Sequence, residues 1–148
     1  MQNHPHNMKI LNTNARSLMK NFVHFEAFFA DLSSQNFSFD VLTYTETWLD
    51  NCLESAVSFE GYVSVMKHKY PVKEGGGLAV FVKDDIRFRI RSDLSFPPEK
   101  QSQFDEIFIE IEPNNDQARP LVLGNLYHSP SFKSISDFCQ NLLSIIES

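Results

Sequence analysis

Between Met8 and Thr45 the hydrophobic pattern changes period twice, and few folds accommodate that order. Met8 to Thr13 reads as a strand that ends at Asn14. Leu18, Phe22, Phe25, Phe29 and Leu32 then recur at helical spacing, an apolar stripe on a helix of about four turns with Ser17 as its N-cap. Ser33-Ser34-Gln35-Asn36 closes that helix, and Phe39 to Thr45, rich in β-branched and aromatic residues, is a second strand. Strand, helix, strand in so short a span predicts a βαβ unit with parallel strands and a right-handed crossover. Polar groups that do chemistry in such sheets lie beyond the carboxyl ends of the strands. Asn14 ends the first strand and Glu46 the second, so neighbouring strands would bring both to one edge. One intervening strand would part them by about 4.8 Å more.

The remaining chain continues as α/β. Gly61 to Met66 suggests a short strand, and Lys67 to Lys73 an exposed basic loop. Gly75-Gly-Gly77 leads into Leu78–Val82, an apolar run typical of a buried strand. Arg87, Arg89 and Arg91 alternate with Phe88 and Ile90, which predicts a strand with one wet face. Ser92 to Ser102 reads as loop. Glu106 to Glu112 and Leu121 to Tyr127, joined through Pro113–Gln117, predict a hairpin. Ser134 with Asp137 resembles a capping box opening a last helix that carries Ile135, Phe138, Leu142, Ile145 and Ile146.

The length, 148 residues, fits one domain or part of one. Residues 1–7 read as a polar disordered leader without the basic and apolar regions of a signal peptide, and 8–148 as the folded portion. His4 and His6 in that leader fit a mobile tail better than a shared metal site. No apolar run approaches a membrane span. The two cysteines, Cys52 and Cys139, form no CxxC and suit a reduced, intracellular compartment. The net charge of −6 excludes holding nucleic acid by bulk charge, so any such contact must be local.

The candidate site residues each carry two readings at this point. The triple glycine precedes a strand rather than a helix, so a turn or a close backbone approach fits better than a phosphate cradle. The arginine row, with Asp84, Asp85 and Asp93 nearby, reads as a solvated strand face. Lys67, Lys69 and Lys73 suit either a solvated loop or a nucleic-acid backbone contact. Glu46, at the junction of core and solvent, is either a functional acid or the partner of a nearby lysine. Asn14 is either a site residue or a turn residue, and Tyr127 either a site residue or a core tyrosine. No Gly-x-Ser-x-Gly elbow exists.

Four blocks in order, Ile10-Leu-Asn-Thr-Asn-Ala-Arg-Ser-Leu18, Phe39-Asp-Val-Leu-Thr-Tyr-Thr-Glu-Thr-Trp-Leu49, Gly75-Gly-Gly-Leu-Ala-Val-Phe-Val-Lys83 and Leu126-Tyr-His-Ser-Pro130, resemble the endonuclease domain of LINE-type, non-long-terminal-repeat retrotransposons. The Asn-Ala-Arg-Ser-Leu and Glu-Thr-Trp-Leu forms look like the chicken-repeat and jockey-like branches. That domain belongs to the endonuclease/exonuclease/phosphatase, DNase I-like superfamily. The resemblance implies a four-layer α/β sandwich, two sheets packed face to face between helices, with the site at the top of the sheets. It implies Mg²⁺-dependent (or Mn²⁺-dependent) phosphodiester hydrolysis that nicks DNA to prime reverse transcription. By position, Glu46 matches the metal-ligating glutamate, Asn14 the asparagine that helps order the metal site, and Tyr127 the tyrosine facing the scissile phosphate.

The same resemblance implies further blocks, Gly-Asp-x-Asn and a late Asp-His pair, which this sequence lacks; after Tyr127 it has one aspartate, Asp137, and one histidine, His128. Arg16 stands where the apurinic-site branch has an acid. The expectation is therefore the N-terminal portion of the domain, truncated at the C-terminus and inactive or nearly so by itself. DNA is the expected partner, with no membrane, and a reverse transcriptase domain in the full-length protein. The expected location is nuclear or cytoplasmic: nuclear action after cytosolic synthesis. A non-catalytic remnant or interaction domain is the alternative. Fold alone also accommodates a phosphatase-type relative, against which the Ala-Arg-Ser-Leu and Glu-Thr-Trp-Leu blocks argue.

Overall fold

The computed structural model describes residues 7–69, 75–113, 118–130 and 134–148. Its elements in chain order are β1 (Ile10–Asn14), α1 (Leu18–Ser34), β2 (Val41–Thr45), β3 (Tyr62–Lys67), β4 (Leu78–Lys83), β5 (Phe88–Ile90), β6 (Phe104–Ile111), β7 (Leu121–His128) and α2 (Ile135–Glu147). Serines start both helices. Ser17 Oγ accepts from the Lys20 amide at 3.4 Å, and Ser134 Oγ from the Asp137 amide at 3.2 Å. Each satisfies an amide that the first helical turn leaves without a partner.

The strands form two sheets, β1-β2-β4-β3 and β5-β6-β7. Alternation along β2 and β4 explains why the sheets stack. Leu42, Tyr44, Ala79 and Phe81 face one way and pack with Phe22, Phe25 and Phe29 of α1. Val41, Leu78, Val80 and Val82 face the other way and meet Ile107, Ile109 and Ile111 of β6. Both strands are covered on both faces, which is why they read as near-continuous apolar runs. On the far side of β6, Phe104 and Phe108 join Phe138, Leu142 and Ile145 of α2. The order helix, sheet, sheet, helix is the expected four-layer α/β sandwich.

β1 and β2 are parallel and direct neighbours, with Asn14 opposite Thr45. β4 runs antiparallel between β2 and β3, an arrangement that no local pattern announced. β2 starts at Val41 rather than Phe39; just before it, the Asp40 carboxylate accepts from the Lys9 amide at 2.8 Å and faces Lys83 Nζ at 3.1 Å. The loop predicted over Ser92–Ser102 contains a 3-10 turn at Pro98–Lys100. Most of the predicted leader, with His4 and His6, and the 114–117 part of the hairpin turn lie outside the described residues. Among the described residues no helix is long and apolar enough to cross a membrane.

One polar side chain bridges the sheets inside the core. Asn125 of β7, 4% exposed, donates through Nδ2 to the carbonyls of Tyr44 at 3.0 Å and Ala79 at 3.2 Å. Those two residues face each other across the β2–β4 pair, so a single amide ties β7 to both strands.

Candidate active site

Just past β1 and β2 the backbone turns sharply. Arg16, Ser17, Glu46 and Trp48 all take positive φ, at 43°, 78°, 54° and 57°. Such values are uncommon for residues other than glycine and persist only where the surroundings hold them. Here the two chain segments hold each other: the amides of Ala15, Ser17 and Leu18 donate to the carbonyls of Thr45 at 2.8 Å, Glu46 at 2.9 Å and Thr47 at 2.9 Å. The Trp48 and Thr47 amides donate to Gly76 and Gly77 carbonyls at 3.0 and 3.2 Å.

This folding turns the Glu46 carboxylate into a ring of donors. Oε2 accepts from the Gly76 amide at 3.1 Å and from Trp48 Nε1, and Oε1 accepts from the Tyr127 hydroxyl. Glu46 comes from one sheet and Tyr127 from the other, so the site lies at the mouth of the sandwich. Asn14 stands at the same end, exposed, its Oδ1 accepting from the Arg16 amide at 3.2 Å. Beneath the ring the buried Asp105 accepts from the Gly77 amide at 3.2 Å.

The three lysines fare differently. Lys67 Nζ lies 2.8 Å from Glu106, whose side chain is 6% exposed. Burial pushes the Glu106 carboxyl above its ordinary range, and the bond to Lys67 pulls against that shift. Lys69 sits beside the Glu46–Leu49 turn, its amide donating to the Leu49 carbonyl at 3.1 Å. Lys73 lies outside the described residues. In the arginine row, Arg89 and Arg91 pair with Glu110 at 2.7 and 2.6 Å, as befits a solvated strand face.

Lys67→Met is expected to cost about 2 kcal/mol at neutral pH, below the ~3–5 kcal/mol of a fully buried broken pair because the Lys67 side chain is still 28% exposed. A carboxyl whose folded-state value is raised contributes stability that is present at low pH and lost as pH rises through that value. Losing Lys67 raises it further, so the variant's deficit should shrink as pH falls from neutral towards 5. Urea melts of both chains at the two pH values check this; a deficit that does not change with pH would be inconsistent with it.

No protein-family model matches the sequence, and no curated protein does. Solved structures do match the fold. The AP endonuclease LMAP from Leishmania major aligns with a TM-score of 0.62 at 18% identity, over 93% of this chain and 45% of that one. The endonuclease domain of TRAS1, a telomere-specific non-LTR retrotransposon, aligns at 0.62 and 12% identity over 93% and 53%. The Xenopus laevis APE2 catalytic domain aligns at 0.55 and 14% identity over 95% and 52%.

The fold is DNase I-like. The chain spans about half the length of the structures it matches.

In this DNase I-like frame, local patterns missed four contributors to the site. Trp48 enters the sequence reading only as part of the Glu-Thr-Trp-Leu block, with no role of its own. The triple glycine was legible as a close backbone approach, yet not as an approach to a carboxylate: a Cβ on Gly75 would lie 2.8 Å from Glu46 Oε2. Asp105 fell outside the predicted strand, which began one residue later. Asn125 had no signal beyond being a polar residue in an apolar strand.

Whether the site suits a divalent cation turns on its donors. Among the described residues no group of three or more His, Cys, Asp or Glu gathers to hold a metal. Among the described residues, the oxygens of Glu46 and Asn14 stand at this end of the β1–β2 pair. That set fits Mg²⁺ or Mn²⁺ in the manner of an ion held by one carboxylate that keeps most of its waters. Oε1 of Glu46 has one acceptor position beyond the Tyr127 bond, since each carboxylate oxygen accepts about two.

Proposed function

We propose that this chain carries the metal-holding and phosphate-facing part of a DNA-nicking endonuclease of a LINE-type retrotransposon. The observation that carries the reading is the meeting of Glu46 and Tyr127 from opposite sheets at the mouth of a DNase I-like sandwich, with Asn14 at the same end. The endonuclease fold of a non-LTR retrotransposon among the structural matches supports it. Glu46 and Asn14 would hold Mg²⁺ or Mn²⁺, which neutralises charge on a phosphate and its leaving oxygen. Tyr127 donates to a non-bridging phosphate oxygen without adding charge. Lys69 on the rim supplies a local positive group, so an overall acidic chain can still touch DNA. In this reading the chain acts in the nucleus, where a reverse transcriptase domain of the same protein extends from the nick.

Water activation is the weak step. His128 follows Tyr127, but its ring packs 5.5 Å from those of Phe104 and Phe138, turned into the α2 core. It is not placed to serve as a base for water at Glu46. Lost general-base help costs about 10²–10⁴ in rate. The chain alone should therefore leave supercoiled plasmid almost intact with Mg²⁺ or Mn²⁺, while still binding Mn²⁺ in a way that Glu46→Ala abolishes. Robust nicking that survives Glu46→Ala would overturn the assignment, and absent Mn²⁺ binding would favour a non-catalytic remnant.

A further inference from the structure

Trp48 is fixed in place yet left outside the core. Its neighbours Thr47 and Leu49 are each 1% exposed, whereas Trp48 is 40% exposed and, among the described residues, joins none of the apolar clusters. Its φ of 57° is one that a bulky residue keeps only where its surroundings enforce it. Two bonds do so: its amide donates to the Gly76 carbonyl at 3.0 Å, and its Nε1 donates to Glu46 Oε2. Gly75 closes the same edge, since a Cβ there would lie 3.5 Å from Nε1. The indole is thus anchored by its nitrogen edge, with the rest of the ring open to solvent. Arg16 stands on the adjoining loop, exposed, also at positive φ, and without an ion pair among the described residues. The amides of Ala15 and Ser17, on either side of it, donate to the Thr45 and Glu46 carbonyls, so Arg16 and Trp48 rise from two laced segments at one rim.

We propose that Trp48 and Arg16 bind an unstacked nucleotide of DNA, its base on the indole face and its phosphate on the guanidinium. The inference rests on the reading of the chain as DNA-directed and adds which form of DNA it takes. An indole face can stack only on a base whose own face is open. Within a duplex each base is covered by its neighbours, so a fixed, exposed indole selects single-stranded, gapped or locally melted DNA. Base identity matters little, because every base has a π-face. Arg16 adds to Lys69 a second positive group at this rim, where an acidic chain needs local charge to hold a phosphate.

The chain has one tryptophan, so its fluorescence reports on position 48 alone. Titrations in EDTA, which prevents cleavage, compare a short labelled oligothymidylate, the same backbone without bases, and a duplex of equal length. Oligothymidylate should quench the fluorescence saturably and bind more tightly than the duplex. The baseless backbone should bind about five- to a hundredfold more weakly, without quenching. Two substitutions at one position separate the ring face from the ring nitrogen. Trp48→Phe keeps a face and loses the N–H, and should stay within about threefold of native affinity; Trp48→Gln keeps a donor and loses the face, and should fall about fivefold or more. Arg16→Gln should weaken binding of oligothymidylate and bare backbone alike and reduce the logarithmic salt slope by about 0.7. Native affinity in Trp48→Gln, or equal affinity of the native chain for oligothymidylate and bare backbone, overturns the proposal; if duplex is still bound, the nuclease reading stands. Absence of binding to every DNA, in EDTA and with Mg²⁺, removes both. Should the variants fail to fold, the native chain decides, and unchanged fluorescence with saturating oligothymidylate overturns the proposal.

Discussion

Gly77→Ala is expected to destabilise the chain by about 3 kcal/mol and lower its melting temperature by about 10 °C. Two costs combine at this residue. Its φ of +84° lies where an L side chain pays about 1–2 kcal/mol. Its Cβ would also sit 2.6 Å from Thr47 Oγ1 and 3.2 Å from the Lys69 amide nitrogen. Thr47 is 1% exposed, and Lys69 there is backbone, held by its bond to the Leu49 carbonyl, so neither neighbour yields cheaply. Gly61→Ala is the internal control. Its φ is +79°, but nothing lies within 4 Å of the added carbon, so it should cost only the conformational share, about 1–2 kcal/mol. Urea melts of the two variants separate the contributions, and equal losses would show that crowding at position 77 contributes nothing. If Glu46 holds the metal as proposed, Gly77→Ala should also weaken Mn²⁺ binding, because the same loop presents the Gly76 amide to Glu46.

What the sequence makes legible is whatever a local pattern can encode. The α1 stripe of Phe22, Phe25 and Phe29 is local, and so are the serine caps and the runs Val41–Thr45 and Leu78–Lys83 that only double-sided burial explains. The shared edge of Asn14 and Glu46 was also within reach, since a βαβ unit constrains where its strands end. Contacts between distant parts were not. Lys67 and Glu106 are 39 positions apart, and nothing near either announces the other. Tyr127 and Glu46 are 81 apart, on different sheets, and meet only because the sandwich closes. The resemblance to known endonucleases grouped Tyr127 with Glu46; alternation and spacing alone left it as either a site residue or a core tyrosine. Trp48 shows the same limit: nothing in its sequence neighbourhood announces its bond to Glu46, which forms where both residues take positive φ.

Asn125→Asp should cost about 4 kcal/mol or more at neutral pH. The substitution keeps shape and volume, so packing is not at issue. What changes is the sign of two contacts. Asn125 Nδ2 donates to two carbonyl oxygens, at 3.0 and 3.2 Å, in a position 4% exposed. A carboxylate there sets oxygen against oxygen twice and buries a charge without a counter-ion, the most expensive kind of polar burial. Protonation would restore one donor, so the variant should regain stability as pH falls, the reverse of ordinary acid denaturation. Asn125→Leu separates bonding from charge: it loses both hydrogen bonds without adding charge and should cost about 2–3 kcal/mol with little pH dependence. Denaturant melts of both variants between pH 5 and 8 test the pair. The consequence reaches the site because Asn125 and Tyr127 share one face of β7, two residues apart. The amide that ties β7 to the carbonyls of Tyr44 and Ala79 thus anchors the strand two residues before Tyr127.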